Sequence, residues 1–319
     1  LQTNTKTLLV GEPMGLFIAG QQAPLEDVTD YSFAIAGAEF NVAVGLTRLQ
    51  HRVSYLTRLG CDPFGAHIRK FMAQNGIDTD LITTDDTRRT GFMLKGNTDQ
   101  GDPQIFYFRA GSAASALCPA DAETLSLEGI THIHFTGITP ALSQSCREMC
   151  LALAQKGRRA GCYISFDPNL RPQLWPGTAA MTEYINAFAA GADLVLPGIG
   201  EGRLLTGLDT PEQIGEYYLA AGAGAVVVKN GPAGAYYATA GQKGTVPGFA
   251  VKKVVDTVGA GDGFAVGVLS ALQEGLPLPE AVRRGNAIGA IQVMSRGDND
   301  GLPTREELAD FMAGKEIAR

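Results

Sequence analysis

No run of apolar residues in this 319-residue chain approaches the ~18 that a helix needs to cross a bilayer, which excludes a membrane-spanning helix. Positive charge is in the minority, with 26 Lys and Arg against 33 Asp and Glu and a formal net charge of −7. That balance argues against a nucleic-acid partner, whose phosphates call for clustered cations. The longest basic cluster, Lys156-Gly157-Arg158-Arg159, reads as a helix C-terminus, where the dipole favours cations. Cysteine is scarce: five residues, an odd number without short regular spacing, point to a reducing compartment. The apolar run after the polar stretch Leu1 to Lys6 stops at Gly11-Glu12-Pro13, so it reads as a first strand and not a signal peptide. There is no N-x-S/T acceptor. The expectation is a cytoplasmic protein with neither membrane nor nucleic-acid partners.

Metal-ligand spacing is nearly absent too. Cys146 and Cys150 lie one helical turn apart with no second pair, which suits buried thiols on a helix. His132 and His134 share one face of the strand Thr131–Phe135 with no carboxylate nearby, which suits strand residues better than a metal site. Glycine, by contrast, is abundant: 40 residues, about one in eight against a usual ~7%. No G-X-Y period runs through it, so collagen is excluded. With hydrophobic residues at 45%, the chain can build a large core and is not disordered.

Short apolar runs alternate with amphipathic segments, the pattern of a parallel α/β sheet. Strands are expected at Thr7–Val10, Val53–Leu56, His132–Phe135, Tyr163–Phe166, Leu194–Leu196 and Ala225–Lys229. Helices are expected at Phe40–Leu49, Pro63–Asn75, Ser143–Lys156, Ala180–Ala190, Pro211–Ala221, Gly263–Glu274, Pro279–Met294 and Thr304–Ala313. Residues near 14–36 and 91–109 break this rhythm: they alternate with period two and carry no helical pattern. The second reads as a hairpin, Gly91–Lys95 and Ile105–Arg109 around a polar turn through Asn97–Asp102. Together they predict a small β-sheet beside the main domain, either a lid or a plain insertion.

The strongest local signal is Asp256-Thr257-Val258-Gly259-Ala260-Gly261-Asp262-Gly263-Phe264. A β-run ending at Val255, then small residues, then a helix from about Asp262 would leave backbone N–H groups open to an anion. A carboxylate at Asp262 would be unfavourable beside a phosphate unless it accepts a proton from a hydroxyl attacking that phosphate. The simpler alternative makes Asp262 a helix N-cap. Lys229-Asn230-Gly231-Pro232-Ala233-Gly234 follows a buried strand and reads as a backbone loop open to a ligand, or as a tight turn. No G-x-x-x-x-G-K-S/T occurs, so this is no P-loop.

The segment 256–264 resembles the D-T-x-G-A-G-D-x-F signature of the ribokinase-type (PfkB) carbohydrate kinases. The paired-glycine landmark of that family is approximated by Ala36-Gly37-Ala38-Glu39-Phe40-Asn41-Val42-Ala43, and the likeness runs from about Leu8 to Pro303. It implies one ribokinase-like α/β domain over 1–319, a three-layer sandwich around a mostly parallel sheet, with a discontinuous β lid from about 12–36 and 91–109. By the same resemblance Asp262 is the general base, and Gly259, Ala260 and Gly261 form the anion hole. Lys229, Gly231, Gly234, Thr257 and Asn286 would face ATP, with Mg²⁺ as cofactor, room for a monovalent cation and a homodimer formed through the lid. Relatives often carry N-x-x-E after the strand equivalent to Leu194–Leu196. Here Gly198 replaces the asparagine, and Glu201 is left at the acidic position with an indirect role towards the metal.

Two arginines bear on the substrate. Arg109 ends the second lid strand, and Arg171 follows the strand Tyr163–Phe166 at the carboxyl end, where α/β sheets bind ligands. Two guanidinium groups over one site would suit an anionic substrate; an internal salt bridge for each is the alternative. Both segments resemble the ketoaldonate branch of the family, the 2-keto-3-deoxygluconate and 2-ketogluconate kinases. That resemblance assigns Arg109, Arg171 and Tyr107 to the sugar acid, with Gly37, Asn41 and Phe92 beside them. The expected activity is ATP-dependent phosphorylation of the terminal C6 hydroxyl of such an acid. The alternatives are a kinase for a neutral sugar such as fructose or ribose, and a non-catalytic sugar or nucleotide sensor on the same scaffold.

Overall fold

The computed structural model describes residues 5–98 and 103–317. The first part of the chain runs β1 (Lys6–Val10), β2 (Met14–Ala19), β3 (Tyr31–Ala36), α1 (Ala38–Arg48), β4 (Arg52–Gly60), α2 (Pro63–Gln74), β5 (Ile77–Asp78) and β6 (Ile82–Asp85). Next come β7 (Phe92–Lys95), β8 (Ile105–Phe108), α3 (Pro119–Thr124), β9 (Ile130–Thr136), α4 (Gln144–Arg159), β10 (Tyr163–Asp167), α5 (Thr178–Ala190) and β11 (Leu194–Val195). The rest is α6 (Ile199–Thr206), α7 (Pro211–Ala221), β12 (Ala225–Lys229), β13 (Ala235–Thr239), β14 (Lys243–Val246), α8 (Ala260–Gln273), α9 (Leu278–Gln292) and α10 (Arg305–Met312).

The large sheet has the order β14-β13-β12-β11-β10-β9-β1-β4-β5, with β6 also on β4. Its pairings are parallel except β12–β13 and β13–β14, which are antiparallel. Strand period two sends alternate side chains into two cores. Leu9, Tyr55 and Val227 pack with α1, α2, α8, α9 and α10 on one face. Leu8, Val10, Ile133, Phe166 and Val226 pack with α3, α4, α5 and α7 on the other. Helices on both faces of one sheet make the three-layer sandwich. Close approach of α8 and α9 depends on glycine, since a β-carbon at Gly267 would lie 2.6 Å from the Gly285 Cα.

Cys146 and Cys150 are buried on α4. His132 and His134 are buried strand residues, each within hydrogen-bond distance of the Ser165 hydroxyl (2.7 and 2.8 Å). Burial pushes both imidazoles down to about 3, so they are neutral. Among the described residues no group of three or more His, Cys, Asp or Glu could hold a metal, and no helix is long and apolar enough to cross a membrane.

A second sheet, β3-β2-β7-β8, stands apart from the first. Its inner face carries Met14, Leu16, Met93 and Tyr107. Its outer face carries Phe17, Phe33, Phe92 and Phe108, with Phe64 of α2 stacked on Phe33. A single 3-10 turn, Leu25–Asp27, interrupts the segment 14–36, which the pattern gives as helix-free. Of the expected turn Asn97–Asp102, residues 99–102 lie outside the described residues.

Two sequence expectations fail around α8. Residues 251–257 form no strand, because Val254 and Val255 find no partner strand and stay 54% and 40% exposed. The helix starts earlier than the pattern gives, with Gly259 as its N-cap and Asp262 inside its first turn. The N-cap reading of Asp262 is therefore excluded.

Candidate active site

A cavity of about 650 Å³ opens at the carboxyl ends of the parallel strands. Glu12 enters it just after β1, Ile138 after β9, Asp167 at the end of β10, Asn169 and Arg171 just beyond, Glu201 near the start of α6 and Lys229 at the end of β12. Thr257, Val258, Gly259, Gly261 and Asp262 bring in the N-terminus of α8. The opposite wall is the small sheet, through Met14, Met93, Ile105, Tyr107 and the adjoining Arg109.

Asp262 is 8% exposed and held at both oxygens. Asn41 Nδ2 donates to Oδ2 at 2.7 Å, and Asn169 Nδ2 donates to Oδ1 at 3.2 Å. Asn41 is itself fixed by Asn299, whose amide donates to Asn41 Oδ1 at 3.0 Å and to the Ile35 carbonyl at 3.1 Å. Burial pushes the Asp262 carboxyl up to about 7, with Asn41 opposing and Asp167 adding to the rise. A carboxylate poised near neutrality and locked in one orientation is equipped to take a proton.

The backbone in front of α8 has its own requirement. Gly259 has φ +78°, and a β-carbon there would lie 2.2 Å from the Asp298 carbonyl. Over Gly261 the nearest atom to an added β-carbon is Lys229 Nζ, at 3.7 Å. The first N–H groups of a helix have no intrahelical partner and carry the positive end of the dipole. The open backbone at Gly261 and the Lys229 ammonium therefore converge on the same space. Lys229 donates to Asp167 Oδ2 at 2.5 Å; burial pushes the Asp167 carboxyl up while Lys229 opposes.

The two arginines differ. Arg109 is buried and already paired, its Nε and Nη2 lying 2.7 and 2.6 Å from Glu12 Oε2. Arg171 Nη1 donates to the carbonyls of Leu170 (2.8 Å) and Asn169 (3.4 Å), and it forms no salt bridge among the described residues. The internal-salt-bridge reading thus holds for Arg109 and not for Arg171, although both line the same cavity.

Gly37, Asn41, Tyr107, Lys229, Thr257, Gly259 and Gly261 also line it, as the sequence expectation has them, whereas Ala260 is not among its lining residues. Phe92 is a correction: strand alternation turns it to the outer face, stacked on Phe108 with centroids 4.6 Å apart, and Met93 faces the cavity instead. Gly231, Gly234 and Asn286 do not line it either. Gly234 has φ +96°, and a β-carbon there would sit 2.1 Å from the Val246 carbonyl, which is the tight-turn reading. Asn286 donates to the carbonyls of Val246 and Pro247, both at 3.1 Å, and fastens the same loop. Glu201 accepts from the backbone N–H groups of Gly198 (2.7 Å) and Leu170 (2.8 Å), so both its oxygens hold backbone. It positions the loop that carries Asn169 and Arg171.

Four acids that line the cavity lie outside the sequence expectation: Glu12, Glu39, Asp167 and Asp298. Glu39 is buried and accepts from the Thr136 and Thr139 hydroxyls at 2.5 and 2.8 Å, and its burial pushes its carboxyl up. Glu12 could have been found from its place directly beyond the first strand, at the binding end of the sheet.

Comparison with known proteins agrees with this architecture. Residues 4–305 match the model of the pfkB family carbohydrate kinases. A 2-dehydro-3-deoxygluconokinase of Bacillus subtilis (strain 168) is 47% identical over 306 residues, 96% of this chain and 94% of that protein. A solved structure of a PfkB protein from Polaromonas sp. JS666 superposes with a TM-score of 0.88 at 44% identity, covering 95% of this chain and 99% of that one. A putative ribokinase II from E. coli, solved in complex with ATP and Mg²⁺, gives a TM-score of 0.88 at 25% identity, covering 97% and 99%.

Proposed function

The chain belongs to the pfkB family of carbohydrate kinases, and from that premise we propose that it transfers the γ-phosphoryl group of ATP to the terminal C6 hydroxyl of a 2-keto sugar acid. The acid is 2-dehydro-3-deoxygluconate, the substrate in the name of the Bacillus relative, or 2-ketogluconate, which differs by one hydroxyl. The observation that carries this reading is the pairing of Asp262, a buried carboxyl raised to about 7, with Arg171, a cavity arginine without a salt bridge among the described residues.

In this mechanism Asp262 takes the proton from the attacking hydroxyl, and Asn41 and Asn169 aim its two oxygens. The backbone of Gly259, Ala260 and Gly261, with the Lys229 ammonium above it, receives the charge that spreads over the γ-phosphoryl oxygens. Mg²⁺ arrives with ATP as part of the substrate and neutralises phosphate charge; Glu201, spent on two backbone donors, serves it only indirectly. Thr257, Gly231, Gly234 and Asn286 belong to the nucleotide side, the last two by shaping the loop at 246–247. Arg171 pairs with the acid's carboxylate. Arg109, neutralised by Glu12, offers directional donors to the sugar, with Gly37, Asn41 and Tyr107 beside it.

The small sheet acts as a lid that excludes water from the transfer. Its outer face leaves Phe106 and Phe108 49% and 51% exposed, and we place a homodimer contact there. Sedimentation of F108S against wild type tests the contact, and an unchanged dimer, or a wild-type monomer, removes it.

A kinase for a neutral sugar is the second reading, favoured by the cancellation of the Arg109 charge by Glu12. A coupled ADP-release assay on 2-dehydro-3-deoxygluconate, 2-ketogluconate and fructose decides between them. Turnover with either acid well above that with fructose is expected. Preference for fructose overturns the acid assignment, and no ADP release with any acceptor returns the chain to the sensor reading.

A further inference from the structure

Lys95 ends β7 of the small sheet, yet its side chain is only 5% exposed. Its ammonium donates to Asp256 Oδ2 at 2.9 Å and to Asp298 Oδ1 at 3.3 Å. Asp256 directly precedes Thr257, and its other oxygen accepts from the Val258 N–H at 3.0 Å. The Asp298 carbonyl is the group that leaves no room for a β-carbon at Gly259. One ammonium therefore reaches from the lid to both segments that shape the backbone in front of α8. Gln292 of α9 fastens the same two segments from the other side, donating to the carbonyls of Gly297 (2.8 Å) and Val258 (3.4 Å).

The charges are uneven, with two carboxylates sharing one cation in a mostly buried place. Burial pushes the Asp298 carboxyl up and Lys95 opposes that rise. Without the ammonium the two carboxylates repel through a medium that screens them poorly. The two segments then part, and the backbone at Gly259 loses the close neighbour that confines it. What distinguishes Lys95 from an ordinary internal cation is where it comes from: the sheet that forms the opposite wall of the cavity.

We propose that Lys95 is a positioning residue for phosphoryl transfer, making the shape of the anion-binding backbone depend on the small sheet being seated over the cavity. The proposal rests on the kinase reading above. With the sheet seated, the ammonium lies between Asp256 and Asp298 and the 257–261 backbone is aimed. With the sheet displaced, the ammonium leaves with it and the donors lose their aim. Lys95 acts through Asp256 and Asp298, so it sets the rate of transfer and not the affinity for either substrate.

The test compares wild type, Lys95→Met and Lys95→Arg by acceptor-dependent ADP release and by amide hydrogen exchange. In Lys95→Met, kcat is expected to fall about 10- to 100-fold, with KM for MgATP and for the acid each within about threefold of wild type. Lys95→Arg recovers part of the loss. Exchange rises in 256–261 as well as in 92–95, while β9 and β10 stay as in wild type. A folded Lys95→Met protein with kcat within about threefold of wild type overturns the proposal, as does a KM effect alone or unchanged exchange at 256–261. If Lys95→Met does not accumulate, Asp256→Asn reads the same link, since its amide oxygen still accepts the Val258 N–H while the charge facing Lys95 is halved. An unaltered kcat there overturns the proposal equally. Failure of the kinase reading shows itself differently, as wild type that releases no ADP with any acid, and the exchange comparison then decides the lysine link without activity.

Discussion

Asn41 near the start of α1 donates its side-chain amide to one carboxylate oxygen of Asp262 on α8 at 2.7 Å, and this bond works against the burial that raises the Asp262 carboxyl. Asn41→Ala removes the donor, so Asp262 holds its proton to higher pH. The kcat/KM profile of the variant should be displaced to the alkaline side, with a loss of about tenfold at pH 7 that largely disappears by pH 9. A profile that drops without moving along the pH axis would place Asn41 only at the sugar.

The wild-type profile follows from the same carboxyl. A base must be unprotonated, and the Asp262 carboxyl is raised to about 7, so kcat/KM should climb as pH rises through that value. The linkage to stability runs the other way. The folded state holds this proton more tightly than the unfolded chain, so the contribution is present at acid pH and is lost as pH rises through about 7. Asp262→Asn should lose about 10²- to 10⁴-fold in kcat while still binding ATP, as read by calorimetry.

The two arginines should fail in different ways. Arg171→Ala removes a guanidinium that forms no salt bridge among the described residues, so its loss appears in kcat/KM for the sugar acid, by about 2–3 kcal/mol, with melting little changed. Arg109→Ala strands the buried Glu12 carboxylate and should cost about 3–5 kcal/mol of stability, read as a lower unfolding midpoint. The double variant Arg109→Met with Glu12→Leu should recover much of that stability while remaining impaired on substrate. Equal stability losses for Arg109→Ala and Arg171→Ala would contradict the distinction.

Gly259→Ala forces a side chain onto φ +78° and against the Asp298 carbonyl. The conformation alone costs about 1–2 kcal/mol, and relieving the collision displaces the backbone that faces the phosphoryl group. Turnover should fall more steeply than stability. Wild-type kcat in this variant would show that the backbone before α8 does not take part.

Much of this was legible in the chain. Pro211–Ala221 and Ala225–Lys229 coincide with their expected limits, because Thr210 caps the helix and the β-branched run is buried between neighbouring strands. The signature at 256–264 located Asp262 in the cavity wall and the open helix terminus beside it. What stayed hidden depends on contacts distant in sequence. Nothing in the local pattern tells which parity of β7 faces the cavity, so Phe92 stood in for Met93. Val254 and Val255 look like strand residues, but pairing needs a neighbouring edge that the fold does not supply there. The Glu12 partner of Arg109 lies 97 positions away, and the donor bonds at Asp262 bring together three separate elements.

The pair of imidazoles on β9 has a practical consequence. The chain has four histidines; His132 and His134 are held neutral, and burial lowers His51 as well. The fourth, His67, packs edge-on against Phe33 on the far side of the small sheet and can be replaced without touching the cavity. An infrared titration of carboxyl bands therefore follows the acids that burial pushes upward, Asp262, Asp167, Glu39 and Asp298, and all four line the one cavity. Two of them, Asp167 raised to about 6 and Asp262 raised to about 7, make carboxyl protonation near neutrality a direct report from the cavity wall.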